Sequence, residues 1–149
     1  MNKEIEIRKA KLSDIPAITR IEVESSNTPW SAKAITYDVT QNEKAYVIVA
    51  DKNGEKVGYA DVWIIGGEAQ INNIAVLEEY RGKGIGDAML SHLIEVSKTK
   101  DCRLITLEVR RSNKAAISMY EKHGFITVGI RREYYKDNNE DALLMNKDI

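Results

Sequence analysis

What the sequence has little of narrows the field first. One cysteine, Cys102, cannot form a disulfide within the chain and suits a reducing compartment. It sits in a polar turn, Asp101-Cys102-Arg103, with no histidine near it in sequence, so a nucleophilic thiol is not expected. The two histidines, His92 on a helix flank and His123 at a helix end where a cation suits the dipole, make no metal-ligand spacing, and no metal is expected. No apolar run approaches the ~20 residues of a membrane helix, and the opening Met1-Asn2-Lys3-Glu4 lacks a signal-peptide core. Neither charge dominates: 22 basic residues against 23 acidic ones leave a net charge of −1, too little to recruit nucleic acid or an anionic membrane. The expectation is a cytoplasmic protein that binds neither.

What is there is ordinary for a folded chain: 149 residues, 43% hydrophobic and 30% charged. That length suits one domain over residues 1–149 and buries roughly 70% of the unfolded surface without disulfides. Ile5 and Ile7, alternating with Glu4, Glu6 and Arg8, predict a half-buried strand. Ser13 or Asp14 can cap a helix with Pro16 in its first turn, and Ile15, Ile18, Ile21 and Val23 give that helix an apolar face up to about Ser25. Pro29-Trp30 bends the chain, and Ser31 caps a second helix holding Ile35 and Val39. Strands over 45–50 and 57–65 are joined by the hairpin signal Asn53-Gly54, and Gly66-Gly67 turns into a strand over 68–76. The period then changes, with Ile85, Ala88, Met89, Leu93 and Val96 at helical spacing. A strand over 104–109 and a helix over 113–122, ended by Gly124, follow. A closing pair over 125–135 and 141–145, turning at Asp137-Asn138-Asn139, completes the order β-α-α-β-β-β-α-β-α-β-β, a mixed α/β fold.

The segment richest in chemistry is Asn72-Asn73-Ile74-Ala75-Val76, followed after a short gap by Arg81-Gly82-Lys83-Gly84-Ile85-Gly86. A strand runs into a glycine turn that opens a helix, so backbone N–H groups from Gly82 to Asp87 can close on a phosphate at the positive end of the helix dipole. Arg81 and Lys83 stand beside that turn, either to help or simply as solvated side chains. A Walker loop is excluded because no Lys-Ser or Lys-Thr follows the last glycine, and a dinucleotide fingerprint because Asp87 stands where it needs glycine or alanine. Glu108 is the one carboxyl in a strand otherwise rich in Leu, Ile and Val, and the alternation puts it on the face opposite Leu107 and Val109. That is either a solvent face or the place of a general base, since an amine attacks a thioester only when neutral. Tyr120 lies on an amphipathic helix, where packing is the ordinary role, and Asn113 stands where a helix cap would.

Taken together, the glycine turn, Glu108, the run Asn113 to Phe125 and the segment Arg131-Arg132-Glu133-Tyr134-Tyr135 with Glu140-Asp141-Ala142 resemble the GNAT family of N-acetyltransferases. Pro29-Trp30-Ser31 and the paired tyrosines resemble its members that act on protein amino termini, and the likeness covers almost the whole chain. It implies the GNAT acyl-CoA fold, acetyl-CoA as co-substrate, and the amino-terminal alanine of small-subunit ribosomal protein eighteen, or a related peptide, as acceptor. The cofactor would meet the backbone of Ile74, Ala75 and Val76 with its pantetheine arm, and Gly82 to Asp87 with its phosphates. Asn113 would hydrogen-bond it. Glu108 would act as base and Tyr120, facing the cofactor sulfur, as acid to the leaving thiolate. Trp30, Tyr134 and Tyr135 would flank the peptide. No activated nucleophile is visible, so direct attack in a ternary complex is expected. Alternatives are acetylation of a small amine or of lysine side chains, and a non-catalytic module that binds acyl-CoA. The segment Gly66-Gly67-Glu68-Ala69-Gln70 departs from the family pattern and is expected to shape the groove; the short acidic turn between Tyr135 and Glu140 is expected to bear on peptide selection.

Overall fold

A computed structural model describes residues 5–149. Glu4, expected to open the first strand's alternation, lies outside the described residues with the rest of 1–4. Seven strands form one sheet: β1 (Ile5–Lys9), β2 (Ala45–Lys52), β3 (Glu55–Ile65), β4 (Glu68–Val76), β5 (Leu104–Arg110), β6 (Ile126–Tyr135) and β7 (Glu140–Asp148). Four helices accompany them: α1 (Ile15–Ser25), α2 (Ala32–Thr40), α3 (Ile85–Thr99) and α4 (Lys114–Lys122). The sheet order is β1-β2-β3-β4-β5-β7-β6, antiparallel throughout except for the parallel pair β4–β5. This is the order of elements that the sequence pattern predicts.

Both faces of the sheet are covered, which is why its central strands read as continuous apolar runs. Along β2, Ile48 and Ala50 join the core under α3, whereas Val47 and Val49 join Ile18 and Ile21 of α1 and Ile35 of α2 on the other face. The turns carry the residues their geometry demands. Asn53 (φ 52°) and Gly54 (φ 95°) both take the left-handed conformation that lets a two-residue turn follow the strand twist. Ser31 caps α2 by accepting the Ala34 N–H at 3.1 Å. Two helix faces differ from the pattern. Val23 is 58% exposed, and the buried position in that turn belongs to Glu22; Ala88 is likewise exposed, and Leu90 and Ile94 bury instead. Asp14 precedes α1 but does not cap it: its carboxyl accepts the Lys11 N–H at 2.9 Å and pairs with Arg8 at 2.8 Å. Cys102 follows α3 in the turn expected, with its side chain buried.

The feature that shapes the cleft is a bulge in β4. Asp61 pairs with Asn73 and Val62 with Ile71, so Asn72 is an extra residue on β4. The parallel pairing of β4 with β5 covers only Glu68–Ile71 against Leu104–Leu107, and past that point β5 continues along β7 while β4 turns away. The segment 66–70 therefore lies at the paired end, and its residues do not line the opening, contrary to the expectation that they shape a groove.

Two buried carboxyls, Asp38 of α2 and Asp61 of β3, meet beside the bulge. Burial and the neighbouring Asp38 push Asp61 up to about 9. Burial also raises Asp38, but hydrogen bonds from Asp61, Asn42 and the Trp63 indole together outweigh it and hold its carboxyl below the ordinary value. Asp61 thus binds a proton in the folded chain that the unfolded chain, with a carboxyl near pKa ~3.9, has released. The folded state holds more protons between about pH 4 and pH 9, so this pair's contribution to stability falls as pH rises through that window. In Asp61→Asn the amide still donates to Asp38 but does not titrate. Urea unfolding at pH 6, 7.5 and 9 is expected to show a decline in the wild type that is largely lost in the variant.

Candidate active site

Where β4 and β5 part, they leave a cleft of about 870 Å³. Its floor is the free side of Ile74, Ala75 and Val76, whose backbone pairs with Gly58 to Ala60 of β3 but with nothing from β5. An unpaired strand side inside a sheet offers donors and acceptors to an extended ligand. The Val76 carbonyl is already occupied, accepting from Arg81 Nε at 2.9 Å.

At one end lies the glycine turn. Gly82 (φ 74°) and Gly84 (φ 84°) take a conformation that a β-branched residue resists, and Gly84 directly precedes α3. The first N–H groups of α3 have no partner within the helix, so they remain available to an anion. Gly86 is needed for space: a Cβ there would stand 3.1 Å from Met119 Sδ of α4. Asp87, an anion in an anion-binding turn, is answered by His123 (2.9 Å) and Lys122 (3.0 Å), which hold its carboxyl below the ordinary range and tie α3 to the end of α4. These features fit a ligand that combines a phosphate group with an extended amide-bearing arm. No cluster of His, Cys, Asp and Glu among the described residues could hold a metal ion.

The expected proton-handling residues both line the cleft. Tyr120 is 4% exposed, and burial, followed by the charge of Tyr135, raises its hydroxyl well above the ordinary value. Among the described residues no hydrogen bond engages that hydroxyl. Glu108 is half-buried on the face of β5 opposite the buried Leu107 and Val109, as the alternation predicts, and it lines the cleft. Its carboxyl forms an ion pair with Arg131 of β6. Asn113 lines the cleft and caps α4, its side-chain oxygen accepting the Ala116 N–H at 3.2 Å.

Trp30 and Tyr135 line the same cleft from the α1–α2 segment and the end of β6. Two expected residues stand off it. Lys83 holds its ammonium 5.6 Å from the Tyr80 ring, and Tyr134 lies edge-on to Tyr135 at 5.1 Å, beside Glu108, whose charge raises the Tyr134 hydroxyl.

Other residues at the site carry no motif. Arg110, two positions from Glu108 on the same face of β5, pairs with Asp137 (3.1 Å) and Glu140 (3.4 Å) and stacks its guanidinium 4.0 Å from the Tyr135 ring centre. The acidic turn is thereby folded back onto β5, where it fixes Tyr135. Glu22 stands four positions after Ile18, on the helix face that should be apolar, and that misplaced charge is the signal available in the sequence.

A strand-splayed cleft lined by a glycine-turned helix start, a carboxyl and a tyrosine is the arrangement of an acyl-CoA-dependent transferase. The sequence pattern of the acetyltransferase (GNAT) family matches residues 15–125, and the chain belongs to that family. It is 38% identical over 141 residues to the [ribosomal protein bS18]-alanine N-acetyltransferase of Escherichia coli K12, covering 93% of this chain and 94% of that one. The N-alpha-acetyltransferase RimI of Mycobacterium tuberculosis is 34% identical over 124 residues, covering 80% and 76%. The crystal structure of the Escherichia coli ribosomal-protein-S18-alanine N-acetyltransferase superposes with a TM-score of 0.90 at 36% identity, over 97% of this chain and 94% of that one. GNAT acetyltransferases use acetyl-CoA.

If the turn binds phosphate, Gly84→Val should weaken acetyl-CoA binding at least tenfold by calorimetry. Apart from its chain neighbours, nothing among the described residues lies within 4 Å of the added Cβ, so the effect would come from backbone strain and the blocked anion approach. Undiminished affinity would remove the turn from the cofactor site.

Proposed function

We propose that this acetyltransferase moves acetyl from acetyl-CoA to the amino-terminal alanine of small-subunit ribosomal protein eighteen. The observation that carries the reading is the convergence of Glu108, Tyr120, Trp30 and Tyr135 on one cleft, supported by relatives named for that activity. The thioester supplies the activated acetyl group. Glu108 collects the proton of the attacking amine, directly or through a water, once the amine has displaced Arg131. A free amino terminus, with pKa ~7.7–8.0, is already partly neutral, whereas a lysine near ~10.4 is not, so a carboxyl base is better matched to the former. Tyr120 keeps its proton in its buried setting and delivers it to the departing thiolate. A thiol near pKa ~8.5 leaves readily, so the acid contributes less than the base. Trp30 and Tyr135 confine the peptide, with Tyr134 at its edge. Asn113, which lines the same cleft, serves the cofactor.

Coenzyme A release is the test, using a peptide that copies the amino terminus of that ribosomal protein and a blocked version with an internal lysine. Turnover is expected with the free terminus alone; turnover with the blocked peptide would move the activity to lysine. Glu108→Gln is expected to lower kcat/KM by ~100-fold and Tyr120→Phe by less, ~10-fold. Wild-type rates in either would remove that residue from the mechanism.

A further inference from the structure

The segment between α1 and α2 forms one wall of the cleft through Ser26, Asn27, Thr28 and Trp30. Its own hydrogen bonds are sparse. Ser26 N–H donates to the Glu22 carbonyl at 3.1 Å, Thr28 N–H to Ser26 Oγ at 3.1 Å, and Trp30 N–H to Glu22 Oε2 at 3.0 Å. Only the last of these reaches a group that also bonds the sheet. Glu22 Oε1 accepts from the Tyr59 hydroxyl of β3 and from Asn73 Nδ2 of β4, both at 2.6 Å, and Asn73 Nδ2 lies 2.7 Å from the Tyr59 oxygen. Glu22 is 2% exposed, and among the described residues no cation pairs with it.

A carboxylate suits this place because it presents only acceptors to three donors; a glutamine of the same shape would aim an N–H at one of them. Asn73 directly follows the bulge residue Asn72, so the network joins the cleft wall to the part of β4 that sets the cleft floor. It shares no hydrogen bond with the glycine turn 82–86.

We propose that Glu22 is a positioning residue for the acceptor: it latches the Trp30 wall to β4 and so sets affinity for the peptide, and it leaves acetyl-CoA binding alone. The inference rests on the reading of the cleft as an amino-terminal peptide site. Its test is steady-state kinetics of Glu22→Gln with the free-terminus peptide, alongside acetyl-CoA binding by calorimetry and thermal unfolding. The peptide KM is expected to rise roughly tenfold, as fits a buried donor losing a charged acceptor. The acetyl-CoA affinity should stay within about twofold and kcat within about threefold, against the ~tenfold change expected in KM. An unchanged peptide KM overturns the latch, and so does a matching loss of acetyl-CoA affinity, which would mark a merely structural role.

Should Glu22→Gln fail to fold, Tyr59→Phe removes one donor and keeps the carboxyl. There hydrogen exchange at the Trp30 amide should quicken together with a rise in peptide KM; exchange and KM both at wild-type values would overturn the proposal. An inactive wild type with this peptide would instead defeat the underlying reading, while an active wild type beside a kinetically silent Glu22→Gln would defeat the latch alone.

Discussion

One extra residue, Asn72, makes it impossible for β4 to stay in register with both of its neighbours. Its pairing with β3 resumes at Asn73, but its pairing with β5 ends at Ile71, and everything that lets this sheet hold a ligand follows from that parting. A sheet exposes backbone donors and acceptors only at its edges, where they invite uncontrolled pairing. Here the equivalent of an edge is created in the middle, with Ile74 to Val76 flanked by β3 on one side and open on the other. The helices on both faces bury the side chains of the same strands, so the opening admits an extended ligand without costing the fold its two cores.

Holding a bulge in place inside a buried sheet calls for polar ties, and the two residues at this one are tied in different ways. Asn72 reaches Asp61 at 3.5 Å, and Asp61 shares its proton with Asp38 of α2. Asn73 reaches Glu22 of α1 at 2.6 Å. Buried carboxyl groups are costly unless hydrogen-bonded or paired, and these are provided for by different means: a shared proton for the aspartates and three neutral donors for Glu22. Asp14, remote from the cleft, has the commoner solution, a guanidinium from Arg8. Ion pairing thus serves Asp14, while hydrogen bonds from neutral groups serve the bulge, where a second full charge would also have to be desolvated.

This division explains which parts of the molecule were legible in the sequence. Strand alternation, helical spacing, Asn53-Gly54 and the glycine turn are local signals, each readable within a window of a few residues, and the elements formed as those signals predict. Glu108 and Tyr120 could be placed on their elements for the same reason. The polar network could not. Glu22 meets Tyr59 and Asn73 at separations of 37 and 51 residues, and nothing near Glu22 in sequence names those partners. What the sequence does contain is the anomaly, a carboxyl on the buried face of α1, and Val23 beside it drew the apolar reading that the structure reverses. Likewise nothing within the acidic turn 137–140 names Arg110, some 27 residues earlier, as the side chain that gathers it.

The two groups proposed to handle protons, Glu108 and Tyr120, sit in opposite surroundings. Tyr120 is buried where ionisation is penalised, so it holds its proton more tightly than an exposed tyrosine, which agrees with the smaller contribution proposed for the acid. Glu108 is more open, with 27% of its side chain exposed, and its partner Arg131 is 57% exposed. An ion pair that open contributes only about 0–1 kcal/mol, because water and salt compete for both partners. Displacing Arg131 is therefore a small cost for an incoming ammonium group, which brings a positive charge of its own to the same carboxyl. The incoming ammonium takes the place of the guanidinium at the carboxyl, and only the amine, unlike the guanidinium, can then give up its proton.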